Sequence, residues 1–575
     1  MAANIFQTKT LEQLTGDIEK SKGLKRTLTA LDLTLLGIGA IIGTGIFVLT
    51  GTAAANQAGP AITVSYVMAG LACGFAALCY AEFASMIPVA GSAYTYAYAT
   101  LGEVVAWMIG WDLILEYAVG SMTVAIGWSG NFQRVLAKIG PDGIILPTWM
   151  QAGPGILPGA LINLPAVIIV LLIMVLLVIG VRESARFNAV MVFVKVLAVL
   201  IFLGVGFSHV RPSNWQPYAP YGWSGVMGAA AVVFFAYIGF DAVSTTAEEA
   251  KNPQRDLPIG IIASLGICTV LYLAVAAVLS GIVPVTQYRI LEAALPGTPI
   301  QAPLEVTKFL NAPVGYVLGS LNIGWADALV SAGAVAGITS VLLVMLMSQP
   351  RIFFSMSRDM LLPPGISKVH PKFGTPYITT IITCVVVALV AGLTRIEVVG
   401  QMTSIGTLFA FVIVCAAVIV LRIKRPDVKR PFTAPGGQAT PILGVISCSY
   451  LMLSLAVVTW ARFLIWLDIG MVIYWAYGRR HSQLVNKTEN DARTPMQSLA
   501  NFITTFGLLL IFNAACIAIL GFFTEWGITN ETTAKWSEIN VTADQADTFG
   551  LKFLAVSIAV WAIGYGLTKA SGEKA

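Results

Sequence analysis

A chain of 575 residues would ordinarily make several soluble domains, but 57% of this one is apolar and only 11% is charged, against about a quarter in soluble proteins. Its 34 Lys+Arg and 29 Asp+Glu are too few to cover a water-exposed surface of that size, so the missing solvent is lipid. The net charge of +5 is small and its basic residues fall between apolar runs, which argues against a nucleic-acid partner.

A membrane-spanning helix needs about 20 predominantly apolar residues. On that criterion fourteen spans are expected, near 32–57, 61–87, 104–130, 163–181, 187–208, 224–247, 258–282, 317–350, 377–394, 400–421, 442–460, 462–477, 499–522 and 550–568. The first 29 residues are polar and show no signal-peptide pattern. With that segment in the cytoplasm, 24 basic residues fall on the inner side and nine on the outer, and Lys195 alone lies mid-span. That asymmetry is the positive-inside signature, and it places both termini inside. The division between spans 11 and 12 rests on Arg462 alone. The seven cysteines all lie inside apolar runs and read as small buried hydrophobes, with no metal site.

In chain order, span 1 reads Gly37-Ile-Gly-Ala-Ile-Ile-Gly43-Thr44-Gly45-Ile-Phe47, with four glycines in nine positions. Each weakens a helix by about 1 kcal/mol relative to alanine. Gly39 and Gly43 also fit the spacing for close helix packing, so this segment alone leaves two readings. Span 3 carries Asp112 and Glu116, i and i+4 on one helix face. Span 5 carries Lys195 among apolar neighbours, where an unpartnered charge would cost at least about 2.5–3.5 kcal/mol. A lysine with both protonation states accessible can alternate with conformation, as proton coupling requires. The other reading is a permanent structural network.

Span 6 places a glycine and a carboxylate mid-run, in Phe234-Phe235-Ala236-Tyr237-Ile238-Gly239-Phe240-Asp241. Spans 1 and 6 are five apart, so paired interruptions there point to two inverted five-span halves with a site at the membrane midplane. Broken helices expose N–H groups, which suit an anion, and carbonyls, which suit a cation. A zwitterion fits both. Asp241 is expected to brace the span 6 break by accepting freed N–H groups. Glu82, Glu248, Glu249, Arg255, Arg358 and Asp359 gather at inner span ends, as interfacial anchors or as an inner gate.

At this point the chain resembles the amino acid–polyamine–organocation superfamily, and most closely the cationic amino acid transporter family with its bacterial relatives. The matching motifs are GIGAIIGTGIF (37–47), YAEFASMIPVAGSAYTYAY (80–98), ESARFN (183–188), FFAYIGFDA (234–242), EEAKNPQRDLP (248–258) and SRDMLLP (357–363). They run from about Leu24 to His481; the remainder carries none of them.

The resemblance implies an all-α integral membrane protein with a 5+5 inverted-repeat core, broken at spans 1 and 6, plus four further spans. The expected divisions are an N-terminal segment (1–29), the transport core (30–425), spans 11–12 (426–481), a linker (482–498), and spans 13–14 with a tail (499–575). It implies that N–H groups of Gly43, Thr44 and Gly45 hold the substrate carboxylate. Carbonyls of Ile41, Phe235, Ala236 and Ile238 then meet its ammonium. Phe235 closes over the substrate, although sequence does not separate it from Phe234. Glu116 lies near the substrate as a relay, and Lys195 takes the place of a coupling ion beside Thr339 and Ser340. Met345 faces the side-chain pocket, where a methionine favours small or neutral substrates such as alanine; its other reading is a gap-filler.

The expected function is therefore proton-coupled amino acid symport across the plasma membrane, with a bacterial inner membrane as the favoured setting. No cofactor is implied, and an accessory membrane protein is conceivable. The alternatives are a cationic amino acid transporter or exchanger, and a non-transporting sensor on the same fold. An intramembrane enzyme is not expected, because His209, His370 and His481 lie at span ends or in loops and no HExxH motif occurs.

Overall fold

The computed structural model describes residues 28–87, 92–137, 143–179, 184–247, 250–289, 304–366, 375–455 and 457–482, with Thr8, Lys9, Ile139, Lys368, His370, Gly507 and Leu510 as isolated positions. Spans 13 and 14 lie outside the described residues, so the fourteen-span expectation meets its structure only as far as span 12. The described residues form helices and no strand. Among the described residues, seven helical stretches are long and apolar enough to cross a membrane, with shorter apolar helices at Ala30–Ile41, Leu164–Val178, Tyr377–Leu393 and Ala439–Leu453.

Span 1 begins at Thr29, whose hydroxyl accepts from the Asp32 N–H while the Asp32 carboxylate accepts from the Thr29 N–H, closing a capping box. Its first half is Ala30–Ile41, and after a break at Ile42 and Gly43 the chain resumes through Gly45–Leu49, Thr50–Ala53 and Ala54–Ala58. Span 2 is Ile62–Met86, span 3 Glu103–Leu136, span 4 Leu164–Ile179 and span 5 Ser184–Phe207. Span 6 is Gly222–Val233, a tight turn at Phe234–Tyr237, and a short helix Ala242–Thr245. Spans 7 to 10 are Pro253–Ile282, Gly324–Arg358, Tyr377–Leu393 and Ile396–Lys424, and spans 11 and 12 are Ala439–Leu453 and Val457–Ile473.

Two boundaries correct the sequence reading. Arg462 does not divide spans 11 and 12; it sits inside the Val457–Ile473 helix, and the chain turns at Ser454 and Leu455. A half-buried arginine is tolerated near a span end because its stem is apolar and its head reaches the interface. Span 8 does not end at Pro350 but continues to Arg358, while the stretch at its other end is the separate helix Pro313–Ser320. The break falls at Asn322, which has φ of +58°. A further helix, Ser92–Thr100, lies buried between spans 2 and 3.

The helix pairings exchange in a regular way. Span 1 packs on span 7, and span 6 on span 2; span 5 packs on span 8, and span 10 on span 3. Spans 2 and 7, 3 and 8, and 4 and 9 pair directly with each other. Spans 11 and 12 pack outside this set: span 11 lies on spans 2 and 10, and span 12 on spans 3 and 10. There the indoles of Trp111 and Trp466 stack at 4.6 Å, each donating to the other residue's carbonyl, at 2.8 and 3.1 Å.

Candidate substrate and coupling site

The break in span 1 follows from its glycines. Ile42 turns to an extended conformation (φ −73°, ψ 104°), and the first hydrogen bond of the resumed helix runs from the Phe47 N–H to the Gly43 carbonyl at 3.3 Å. The N–H groups of Gly43, Thr44 and Gly45 thus precede any intrahelical acceptor, as at every helix start. Gly43 abuts Val341 of span 8, where an added Cβ would lie 2.8 Å from a valine methyl. Gly45 abuts span 6, where a Cβ would lie 2.4 Å from the Ala236 Cα. The two breaks are therefore in direct contact, and glycine is what permits it.

In span 6, Ile238 is extended and Gly239 has φ of +121°, a conformation that favours glycine. The Asp241 carboxylate accepts from the Gly239 N–H at 3.1 Å and from the Tyr117 hydroxyl of span 3 at 3.1 Å. Asp241 thus satisfies a donor freed by the break and ties it to the residue after Glu116.

Lys195 is fully buried and reaches out of span 5 to the end of the first half of span 1, at the break. Its ammonium donates to the carbonyls of Gly39 at 2.5 Å and Ile42 at 2.8 Å, and to Ser340 Oγ of span 8 at 3.1 Å. Thr339 is not part of this group. It is 100° further round the helix and its hydroxyl accepts from the Trp128 indole at 2.8 Å.

Tyr272 of span 7 was not singled out from the sequence. Its hydroxyl lies 2.9 Å from the Ile41 carbonyl and 2.8 Å from that of Ala236, bridging the two breaks. Its ring packs with those of Tyr66 and Tyr237 at 5.4 and 5.3 Å. A phenol inside an apolar span was the available signal, since a buried hydroxyl must find a partner.

Phe234 and Phe235 separate clearly. The Phe234 ring packs edge-on against Phe411 of span 10 at 5.5 Å, and Phe411 also meets Phe240 and Tyr80. Phe235 joins no such ring cluster among the described residues and lies beside Ala236 in the turn. Both rings are buried, at 0% and 4% exposure, and they differ in that Phe234 has an aromatic partner in Phe411.

Asp112 and Glu116 are both buried on span 3. Asp112 lies against span 10, where a Cβ on Gly406 would be 2.8 Å from its Oδ1, and Glu116 has Thr407 of span 10 beside it. Met345 is buried with its thioether on Gly120 of span 3, a glycine that Thr403 of span 10 also borders. The break residues Ile41, Gly43, Thr44, Gly45, Ala236 and Ile238 are all buried.

Of the residues expected at an inner gate, Glu82 and Asp359 have their partners among the described residues. Glu82 holds Arg422 through both oxygens, meets Arg430 at 3.5 Å and accepts from the Ala434 N–H at 2.9 Å, so it ties span 2 to span 10 and the loop beyond. Asp359 instead pairs with Lys9 at 2.5 Å and accepts from Tyr94 at 2.6 Å. Arg255 is exposed at the start of span 7, and Glu248 and Glu249 lie outside the described residues.

Comparison with known proteins bears on this arrangement. Residues 28–476 match the amino acid permease family. The chain is 50% identical over 486 residues to the branched-chain amino acid permease BcaP of Bacillus subtilis, covering 84% of this chain and all of that protein. It is 46% identical over 485 residues to the methylthioribose transporter of the same organism, again covering 84% of this chain and all of the relative. Against the vacuolar cationic amino acid transporter 4 of Arabidopsis thaliana it is 38% identical over 410 residues, 70% of this chain and 64% of that one.

Proposed function

Because the chain belongs to the amino acid permease family, we propose that this multi-pass membrane protein carries neutral, aliphatic L-amino acids by proton-coupled symport. The observation that carries the substrate reading is the contact between the two breaks at Gly45 and Ala236. It sets the N–H groups of Gly43, Thr44 and Gly45 against the carbonyls of Ile41 and Ala236, donors for a carboxylate and acceptors for an ammonium. The side chain would then run toward Met345, an apolar limit, with Phe235 closing the other side. Relatives named for branched-chain amino acids extend the expected range from alanine to valine and leucine.

The exchange of packing partners between spans 1–5 and 6–10 supports a 5+5 inverted repeat working by alternating access. Lys195 supplies the coupling. An ammonium has three N–H donors, and here it has three acceptors, on spans 1 and 8. A neutral amine has only two donors, so proton loss abandons one acceptor and turns a lone pair toward an oxygen. Protonation thereby fastens span 1 to span 8, and deprotonation frees them to separate. Glu116 and Asp112 are the proposed relay on the facing span.

A second reading is favoured by the methylthioribose transporter relative: the same N–H and C=O groups could bind sugar hydroxyls. One experiment orders these readings. Purified protein is heated with each of the twenty amino acids and with methylthioribose, and stabilisation by mass action reports binding. Stabilisation by alanine, valine or leucine, followed by their gradient-driven uptake into proteoliposomes, supports the proposal. Stabilisation by methylthioribose alone, by arginine and lysine alone, or binding without uptake overturns it.

A further inference from the structure

Spans 3 and 8 run antiparallel, and their facing residues keep one register: Gly110 opposite Met356, Gly120 opposite Met345, and Trp128 bonded to Thr339. Glycines of span 3 seat side chains from their neighbours, but the seats are not alike. At Gly110 an added Cβ would lie 2.7 Å from the Met356 sulfur, and at Gly127 2.4 Å from a Thr44 methyl. Those seats are full. At Gly120 the nearest atoms are the Met345 sulfur at 3.2 Å, its terminal methyl at 3.4 Å and the Thr403 Cγ2 at 3.5 Å. This seat is less tightly filled than the other two, and its occupants are a thioether end and one methyl.

The Thr403 hydroxyl is held by the Val399 carbonyl at 3.2 Å, and its methyl is the group turned to the Gly120 seat. Met345 lies one turn along span 8 from Val341, which rests on Gly43 of the span 1 break, and Gly120 lies one turn along span 3 from Glu116. The Met345 thioether thus rests in a slot walled by the Gly120 backbone and the Thr403 methyl, one turn along span 8 from the valine that rests on the break. How far it withdraws into that slot fixes how much room remains in front.

We propose that Gly120 and Thr403 are specificity-determining residues that act through Met345, setting its depth and so the length of substrate side chain admitted. This rests on the reading that Met345 bounds the side-chain pocket. Filling the slot from span 3 pushes the thioether forward and disfavours leucine relative to alanine. Opening it from span 10 does the reverse. A methyl group at a pocket wall shifts discrimination by about tenfold or more.

The test is the ratio of leucine to alanine uptake, as kcat/KM in proteoliposomes, for the wild type, Gly120→Ala, Thr403→Ser, Met345→Ala and the double variant Gly120→Ala with Met345→Ala. The ratio is expected to fall about tenfold in Gly120→Ala and to rise in Thr403→Ser. In the Met345→Ala background, Gly120→Ala is expected to have no further effect on it. Thr403→Ser keeps its hydroxyl and loses one methyl, so it decides the matter if Gly120→Ala does not fold. Gly110→Ala is the packing control, expected to lower the melting temperature without moving the ratio. An unchanged ratio in Thr403→Ser, or an effect of Gly120→Ala that survives the loss of Met345, overturns the inference alone. A wild type that takes up neither amino acid overturns the functional reading and this inference with it.

Discussion

The two helix breaks solve opposite problems. In span 1 the exposed groups that draw partners are carbonyls, at the end of Ala30–Ile41, and the donors that meet them come from elsewhere: Lys195 from span 5 and Tyr272 from span 7. In span 6 the exposed group is the Gly239 N–H, and its acceptor is Asp241, two residues on in the same segment. The span 6 break braces its freed N–H from within, although Tyr272 also donates to its Ala236 carbonyl and Tyr117 to Asp241. The span 1 break is held by borrowed groups, so a change of charge in a neighbouring span can release it. Under the proposed coupling through Lys195, this difference would put the proton-sensitive joint at span 1 rather than span 6.

The most severe way to break the comparison is to separate the breaks themselves. Gly45→Ala would place a methyl 2.4 Å from the Ala236 Cα, and overpacking of this kind costs about 1–3 kcal/mol or more. The expected outcome is a large fall in melting temperature and loss of substrate stabilisation. A variant with the wild-type melting temperature would show that the breaks can part freely. Next in size is Lys195→Met, which keeps the bulk of the stem and removes all three donors. Uptake driven by an inward proton gradient should fall by at least about tenfold, the loss of roughly 1.4 kcal/mol of coupling, while exchange of internal for external substrate persists. Asp241→Asn keeps an acceptor for the Gly239 N–H and should retain the gradient response. Equal loss of that response in both variants would erase the distinction between a borrowed and a built-in brace.

How much of this could be read beforehand follows the same division. The breaks themselves were legible, because glycines and a carboxylate inside apolar runs have no place in an ordinary membrane helix. Lys195 was legible for the same reason, while the approach of Thr339 or Ser340 to it came only from the family resemblance. What the sequence hid was anything depending on which faces meet. Tyr272 was one phenol among several. Thr339 and Ser340 could not be told apart until the helix rotation was known, nor could Phe234 and Phe235 until Phe411 was seen to claim one of them. The partners of Glu82 were hidden too, since Arg422 is 340 positions away along the chain. Gly120 gave no signal at all, because a glycine's importance lies in what sits on it.

The smallest effect, and the finest test of the comparison, comes from a group that touches both breaks. The Tyr272 hydroxyl has a single proton and two carbonyl neighbours, at 2.9 and 2.8 Å. Each carbonyl keeps a second lone pair, so the phenol can hold the two oxygens together while both still accept from a substrate ammonium. Tyr272→Phe leaves the ring against Tyr66 and Tyr237 and removes only that tether, worth about 0.5–1.5 kcal/mol. KM for a zwitterionic substrate should rise by roughly 2- to 10-fold on that basis, with the melting temperature little changed and the response to a proton gradient intact. Lys195 would then govern when the span 1 break lets go, and Tyr272 how well the two breaks grip together. Loss of the gradient response in Tyr272→Phe would merge those two roles, making the phenol part of the joint that moves.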